Sequence, residues 1–367
     1  MKPNIARIAG VLIFLAMIGL GVGWRFIKRP ATSTFERAAG PPVTLPGKIG
    51  GEKVGFIEDP EVRSLLAKSS ITLDAKKEGS VEMMRDAAAG QSFLWPASQL
   101  NLESFRESGG APLQAEEIFQ SPLVFYSWDT VTDVLVTNGI VEKVGETYYV
   151  TDTAKLVGWV DQKKKWKDVG LSQLYSGISI QSTDPAKSNS GNMWAALLAN
   201  IYNGGEVLTP DKADAIIPKV KAFFERVGFM ESSSGTLFDK YLKQGAGAYP
   251  IIVAYENQLL EFAAGHRELI EPVKKKLRIL YPRPTVWASH PLIALDPDAR
   301  RLIAAFKDPE MQRIAWDRHG FRSGLMGAVN TATTPVSGVP PTIDGVMPLP
   351  ALPIVTKLTE ALNSMPR

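Results

Sequence analysis

The chain of 367 residues contains no cysteine and only three histidines. The first absence excludes disulfides, thiol nucleophiles, thiolate metal sites and lipid attachment through cysteine, and leaves both oxidising and reducing compartments open. The second disfavours a histidine-rich metal centre. Charge of one sign is also missing: 41 Lys and Arg against 38 Asp and Glu give a net charge of +3. So small an excess provides no chain-wide footprint for nucleic acid. There is no Gly-x-Ser-x-Gly elbow, no phosphate loop, no His-Glu-x-x-His and no EF-hand loop. The carboxylates show no spacing that predicts acid/base work. The sequence reads as a non-enzyme with no cofactor and no metal.

What is present is globular in composition, 45% hydrophobic and 22% charged, with enough chain for two cores. From Ile8 to Trp24 no charge occurs, while Lys2 and Arg7 precede the run and Arg25, Lys28 and Arg29 follow it. As a helix it would span about 25 Å, slightly short of a bilayer core of about 30 Å, and Trp24 and Phe26 extend it into the interface. A retained signal-anchor over residues 1–29 competes with a cleaved signal peptide. The missing Ala-x-Ala and the basic stop favour the anchor. Basic residues on both sides leave its orientation open.

Residues 30–47, with four prolines and no apolar period, read as a tether. Beyond them, short apolar runs alternate with amphipathic stretches. Val54–Ile57, Ile71–Leu73, Leu123–Tyr126 and Ile251–Ala254 are expected as strands. Pro60–Lys68, Asn192–Tyr202, Asp211–Val227, Arg300–Phe306 and Met311–Trp316 are expected as helices. A Pro-rich tail over 331–367 ends in a short amphipathic helix, Ile354–Leu362. The alternation predicts an α/β protein with two lobes.

In Ile178–Tyr202 an apolar strand runs into a polar loop and straight into a strong helix. Ser188, Asn189, Ser190 and Gly191 therefore place hydroxyls, an amide and free backbone N–H groups at a positive helix end. This suits an oxyanion or carboxylate, although Ser and Asn are also the ordinary capping residues. The lysines at 163, 164, 165 and 167 around Trp166, and Lys274–Lys276 with Arg278, read as solvated faces.

The segment TDPAKSNSG at 183–191 resembles the ligand-binding loop of bacterial extracytoplasmic (periplasmic) solute-binding proteins of the type II, phosphate/sulfate/molybdate-like class. Other stretches fall in that class's order: GGEKVGFIEDPEV at 50–62, ITLDAKKEGSVEMM at 71–84, FLWPASQ at 93–99, SPLVFYSWDTV at 121–131 and GAYPIIVAYENQ at 247–258. The resemblance implies a two-lobed α/β clamp with two hinge crossovers. Lobe 1 would comprise 48–125 with 255–330, and lobe 2 would comprise 126–254. It implies ligand contacts from Glu52, Ser80, Ser98, Ser188, Asn189, Ser190, Gly191 and Tyr255. It also implies capture of a small ligand, an oxyanion or small polar organic solute, for a membrane permease. The globular part would be extracytoplasmic and held to the cytoplasmic membrane by the N-terminal helix. A scaffold or sensor of a cell-envelope complex could use the same fold. One departure matters: Gly50-Gly51-Glu52 stands where anion-binding members place a hydroxyl, and a carboxylate there repels a dianion. Trp95, Trp128, Trp287 and Trp316 are expected in lobe interiors, while one or two lining the cleft would favour a ring-bearing ligand. His290 and His319 read as structural.

Overall fold

A computed structural model describes residues 40–85, 90–266, 268, 271, 275–326 and 336–365. All of these belong to one compact unit, Ala38–Arg367. The apolar run 8–24 and the tether up to residue 39 lie outside the described residues. Among the described residues no helix is long and apolar enough to cross a membrane.

Two sheets organise the chain. The first has the order β2-β1-β3-β11-β4. In it β1 (Val43–Ile49) lies parallel to both β2 (Ile71–Lys77) and β3 (Phe93–Trp95), while β11 (Pro291–Ala294) runs antiparallel to β3 and to β4 (Gln114–Glu117). The first strand thus begins at Val43, inside the stretch read as a tether. Pro41, Pro42 and Pro46 hid its alternation of buried Leu45, Gly47 and Ile49. Gly47 is required there, because a Cβ would lie 2.2 Å from the Phe93 ring.

Helices cover both faces of this sheet. On one, Leu45, Phe93, Trp95 and Leu292 pack against α1 (Val54–Glu58) and α2 (Pro60–Lys68) and, later in the chain, the helices Ala299–Phe306 and Pro309–His319. On the other, Leu94 and Ile293 meet Met83 and Met84 of α3 (Ser80–Arg85) and Leu102 and Phe105 of α4 (Gln99–Glu107). Val54–Ile57, expected as a strand, is helical: the strand slot beside β2 is taken by β1, and Phe56 caps the core instead. The helix α2 matches its expected span. Asp59 accepts from the N–H groups of Glu61 (2.7 Å) and Val62 (3.3 Å), and Pro60 occupies the first turn.

The second sheet has the order β10-β5-β9-β7-β6. Its spine is β5 (Phe119–Trp128), which pairs with β8 (Ile251–Tyr255), β9 (Leu277–Pro282), β10 (Trp287–Ala288) and β12 (Arg322–Ser323) along its length. The parallel neighbour of β9 is β7 (Thr147–Val150), which forms a hairpin with β6 (Val141–Val144). Leu123, Phe125, Val253 and Leu280 face a core built with α5 (Asp129–Thr137), α6 (Thr153–Asp161), α7 (Asn189–Tyr202) and α8 (Pro210–Val227). Val124, Tyr126, Ile252 and Ile279 face the opposite way, against α9 (Ser234–Ala248) and α10 (Glu256–Gly265).

The expected lobe boundary needs correction here. Leu277–Pro282 and Trp287–Ala288, placed in the first lobe by sequence, pair in the second sheet, so the chain passes between the sheets more than twice. After α11 (Ala299–Phe306) and α12 (Pro309–His319), the Pro-rich tail is an integral part of the fold. Arg322, ion-paired with Glu256 at 2.6 Å, donates to the carbonyls of Pro340 (2.6 Å) and Pro341 (2.9 Å). The last helix, α13 (Leu352–Asn363), buries Ile354, Leu358 and Leu362 in the second core. Trp166 is fully buried there too, leaving Lys163, Lys165 and Lys167 on a solvated face.

Candidate functional site

A cavity of about 240 Å³ opens between the two halves. From the first sheet's side come Gly50, Gly51 and Glu52 of the β1–α1 connection, and Lys77, Glu78, Gly79, Ser80 and Glu82 at the end of β2 and start of α3. From the second come Ser188 and Asn189 at the start of α7, Ser232, Ser233 and Ser234 at the start of α9, and Tyr255 at the end of β8. Five serine hydroxyls and the N-termini of two long helices therefore converge on one space.

The local chemistry leaves several of these groups available. Ser188 and Ser233 are the N-cap residues of α7 and α9, yet neither side chain makes a capping hydrogen bond. The first N–H groups of each helix have no intrahelical acceptor, so they and the positive helix ends face the cavity. The Ser233 hydroxyl oxygen is buried without a partner among the described residues. Ser80 accepts from the Ala97 N–H at 3.2 Å, which keeps its own proton free to donate.

The walls are braced from behind. Ser190 is fully buried, sharing hydrogen bonds with Thr183 (2.8 Å) and Ser188 (3.2 Å). A Cβ on Gly191 would lie 2.2 Å from the Thr183 carbonyl oxygen, so only glycine lets α7 start so close to the preceding loop. The Asp184 N–H donates to the Glu231 carbonyl at 2.9 Å and ties this loop to the Ser232–Ser234 segment. Asn189 donates to the Tyr255 hydroxyl at 2.9 Å and, across the divide, to the Ala97 carbonyl at 3.3 Å. Burial, reinforced by the Glu52 charge, pushes the Tyr255 phenol well above its ordinary range and keeps it neutral.

Glu52 is buried and ion-paired with the adjacent Lys53, itself fully buried beneath the cavity with its ammonium 5.6 Å from the Trp95 ring centroid. Burial works against the Glu52 carboxylate, but the Lys53 charge and the His290 ring outweigh it and hold its carboxyl below the usual range. Burial lowers the Lys53 ammonium, opposed by Glu52. The His290 ring lies 3.5 Å from Glu52. Burial and then the Lys53 charge lower its pKa to about 4, so it is neutral at pH 7. The first-loop carboxylate is thus offset within the protein. Glu78 is likewise matched by Lys48 at 2.8 Å.

Five of the eight residues expected from sequence, Glu52, Ser80, Ser188, Asn189 and Tyr255, line the cavity. Ser190 and Gly191 stand behind it as braces. Ser98 is not brought there: it caps α4, accepting from the Leu100 N–H at 3.2 Å, and lines a separate cavity with Trp287 and Met347. The strong helix starts at Asn189, three residues earlier than its apolar period, so the polar residues are its first turn. None of the four motif tryptophans is among the lining residues. His319 bridges Asp59 (3.3 Å) and Glu261 (2.6 Å) away from the cavity. Sequence reasoning missed Lys53, Lys77 and the Ser232–Ser234 run. The last carried a readable signal, a triple serine just before a helix.

Two interleaved α/β lobes around a polar, hydroxyl-lined cavity are a fold shared with solved solute-binding proteins. A structure assigned as an extracellular solute-binding protein of Bordetella parapertussis matches with a TM-score of 0.56 at 10% identity, over 87% of this chain and 96% of its own. The substrate-binding protein of an ABC transporter of Agrobacterium tumefaciens matches at 0.55 and 14% identity, over 91% and 95%. The periplasmic binding protein AfuA of Actinobacillus pleuropneumoniae, with fructose-6-phosphate bound, matches at 0.54 and 14% identity, over 88% and 99%. No protein-family model and no curated protein sequence matches the chain.

Proposed function

We propose that this chain captures a small solute bearing an oxyanion between its two lobes and presents it to a membrane permease. The observation that carries this reading is the pair of uncapped helix starts, Ser188–Asn189 and Ser233–Ser234, which line one interlobe cavity, with the Ser233 hydroxyl unpartnered among the described residues. Hydroxyl and N–H donors hold an anion without burying a cation beside it. The internal pairing of Glu52 with Lys53 removes most of the repulsion that a first-loop carboxylate would otherwise exert. Lys77 supplies a positive charge at the exposed rim. A cavity of about 240 Å³ favours an ion or a compact organic acid over a large ligand. In this reading the globular part works outside the cytoplasm, and the apolar run 8–24 retains it at the membrane.

Melting the full chain in the presence of sulfate, phosphate, small sugar phosphates, carboxylates, amino acids and polyamines tests this. A ligand at about 100 times its Kd stabilises the native state by about 2.7 kcal/mol and raises the transition visibly. The expected result is a shift with one oxyanion group and none with polyamines. A shift with polyamines alone, or with nothing, contradicts the proposal.

A further inference from the structure

The helices α3 and α7, which begin at the interlobe cavity, present their next turns to another. This second cavity, of about 350 Å³, has α3 and α4 on one side and α7 and α13 on the other. Val81, Met84, Leu100, Leu352 and Val355 give it an apolar lining. The other nine of its fourteen lining residues are polar or charged, with Arg85 on the α3 side and Glu360 on the α13 side. Asn101 is only 7% exposed, lines the cavity, and its amide oxygen is buried without a hydrogen-bond partner among the described residues. Buried amide groups in folded proteins are nearly always paired, so an orphan facing a cavity marks a position for a donor from outside the chain. Arg85, at the exposed end of α3, also lines the cavity and has no carboxylate partner among the described residues. The far wall is fixed: Asn192 of α7 donates to the Thr359 hydroxyl of α13 at 2.7 Å.

We propose that this cavity is a second binding site, taking a small aliphatic molecule that carries a carboxylate and a neighbouring hydrogen-bond donor. The aliphatic body covers the apolar lining, the donor pairs with the Asn101 amide oxygen, and the carboxylate meets the Arg85 guanidinium. Aliphatic amino acids and the corresponding hydroxy acids share this chemistry. The site is separate from the oxyanion cavity, and its assignment does not rest on what that cavity holds. Its walls come from both lobes, so an occupant fixes their spacing.

Calorimetric titration of the full chain with L-leucine, leucic acid, isocaproate and leucinamide tests the inference. Leucine, leucic acid or both are expected to bind with a Kd below about 1 mM. Which of the two binds decides between an amine and a hydroxyl donor. Isocaproate, lacking the donor, and leucinamide, lacking the carboxylate, are expected to bind about tenfold or more weakly. Asn101→Leu should abolish leucine or leucic acid binding. Arg85→Gln, at an exposed position that leaves folding intact, should reduce it to the level of leucinamide. No heat from any probe at about 10 mM, or binding undiminished by Arg85→Gln and Asn101→Leu, overturns the assignment.

Discussion

The α-carbon of Gly79 faces the backbone carbonyl of Lys187 so closely that a Cβ would lie 2.3 Å from its oxygen. Gly79 precedes Ser80 and Lys187 precedes Ser188, so the contact joins the two walls of the cavity. Gly79→Ala should hold the lobes apart at this point. The expected result is a loss of about tenfold or more in solute affinity by calorimetry, because the competent closed state becomes a minor one. The urea midpoint should change little, since neither lobe's core is touched. Unchanged affinity would show that closure to this distance is not needed.

Removing Lys53 should leave the Glu52 carboxylate buried and unpaired. Breaking one side of such a pair costs about 3–5 kcal/mol, whereas replacing both partners costs far less. Lys53→Met is therefore expected to be strongly destabilised in urea unfolding, and adding Glu52→Gln should recover most of the loss. A double variant no more stable than the single one would mean that the pair is not what neutralises Glu52.

Acid should weaken the fold through His290. The groups facing its ring are Glu52, Lys53, and the aromatic rings of Tyr255 and Phe321. With a folded pKa of about 4 against an ordinary 6.5, the unfolded chain binds a proton that the folded chain does not between those values. Stability then falls as pH drops through that window, by up to about 3 kcal/mol. Glu52 acts in the same direction lower down, since its depressed carboxyl loses its contribution as pH falls below the ordinary carboxylate range. Denaturant midpoints measured from pH 7 to pH 4 should show the slope. His290→Asn, a residue that tolerates the positive φ of 25° at this position, should flatten it.

Asp59→Ala should remove the cap of α2 and the contact to Arg318 at 3.1 Å. A cost of about 1–2 kcal/mol in urea unfolding is expected, with solute affinity unchanged. A change in affinity larger than in stability would connect α2 to the site in a way the geometry does not.

Much of this was readable locally. Pro60 and Asp59 announce α2, the apolar runs of β5 and β8 announce buried strands, and the polar residues before the helix at 192 announce a helix start facing a cavity. What failed depends on distant pairing. Leu277–Pro282 belongs to the second sheet because it pairs with Phe125–Trp128 and Tyr148–Val150, partners more than a hundred residues away that local pattern does not reveal. Consecutive elements are usually neighbours, and here they are not. Lys53 escaped notice because a lysine beside a glutamate reads as surface. The fold nevertheless makes it interior, with its ammonium 5.6 Å from the Trp95 ring centroid. Ser98 matched its motif, yet its hydroxyl is used by α4 and turned to another cavity.

In the proposed mode of binding the two uncapped helix starts hold the solute. Calorimetry of the best-binding oxyanion against the double variant Ser188→Ala, Ser233→Ala tests it most directly. Losing two hydrogen bonds to a charged ligand, at about 1.5–3 kcal/mol each, should weaken binding by about a hundredfold or more while the circular dichroism spectrum is kept. Affinity equal to that of the unaltered chain would place the solute elsewhere and contradict the account.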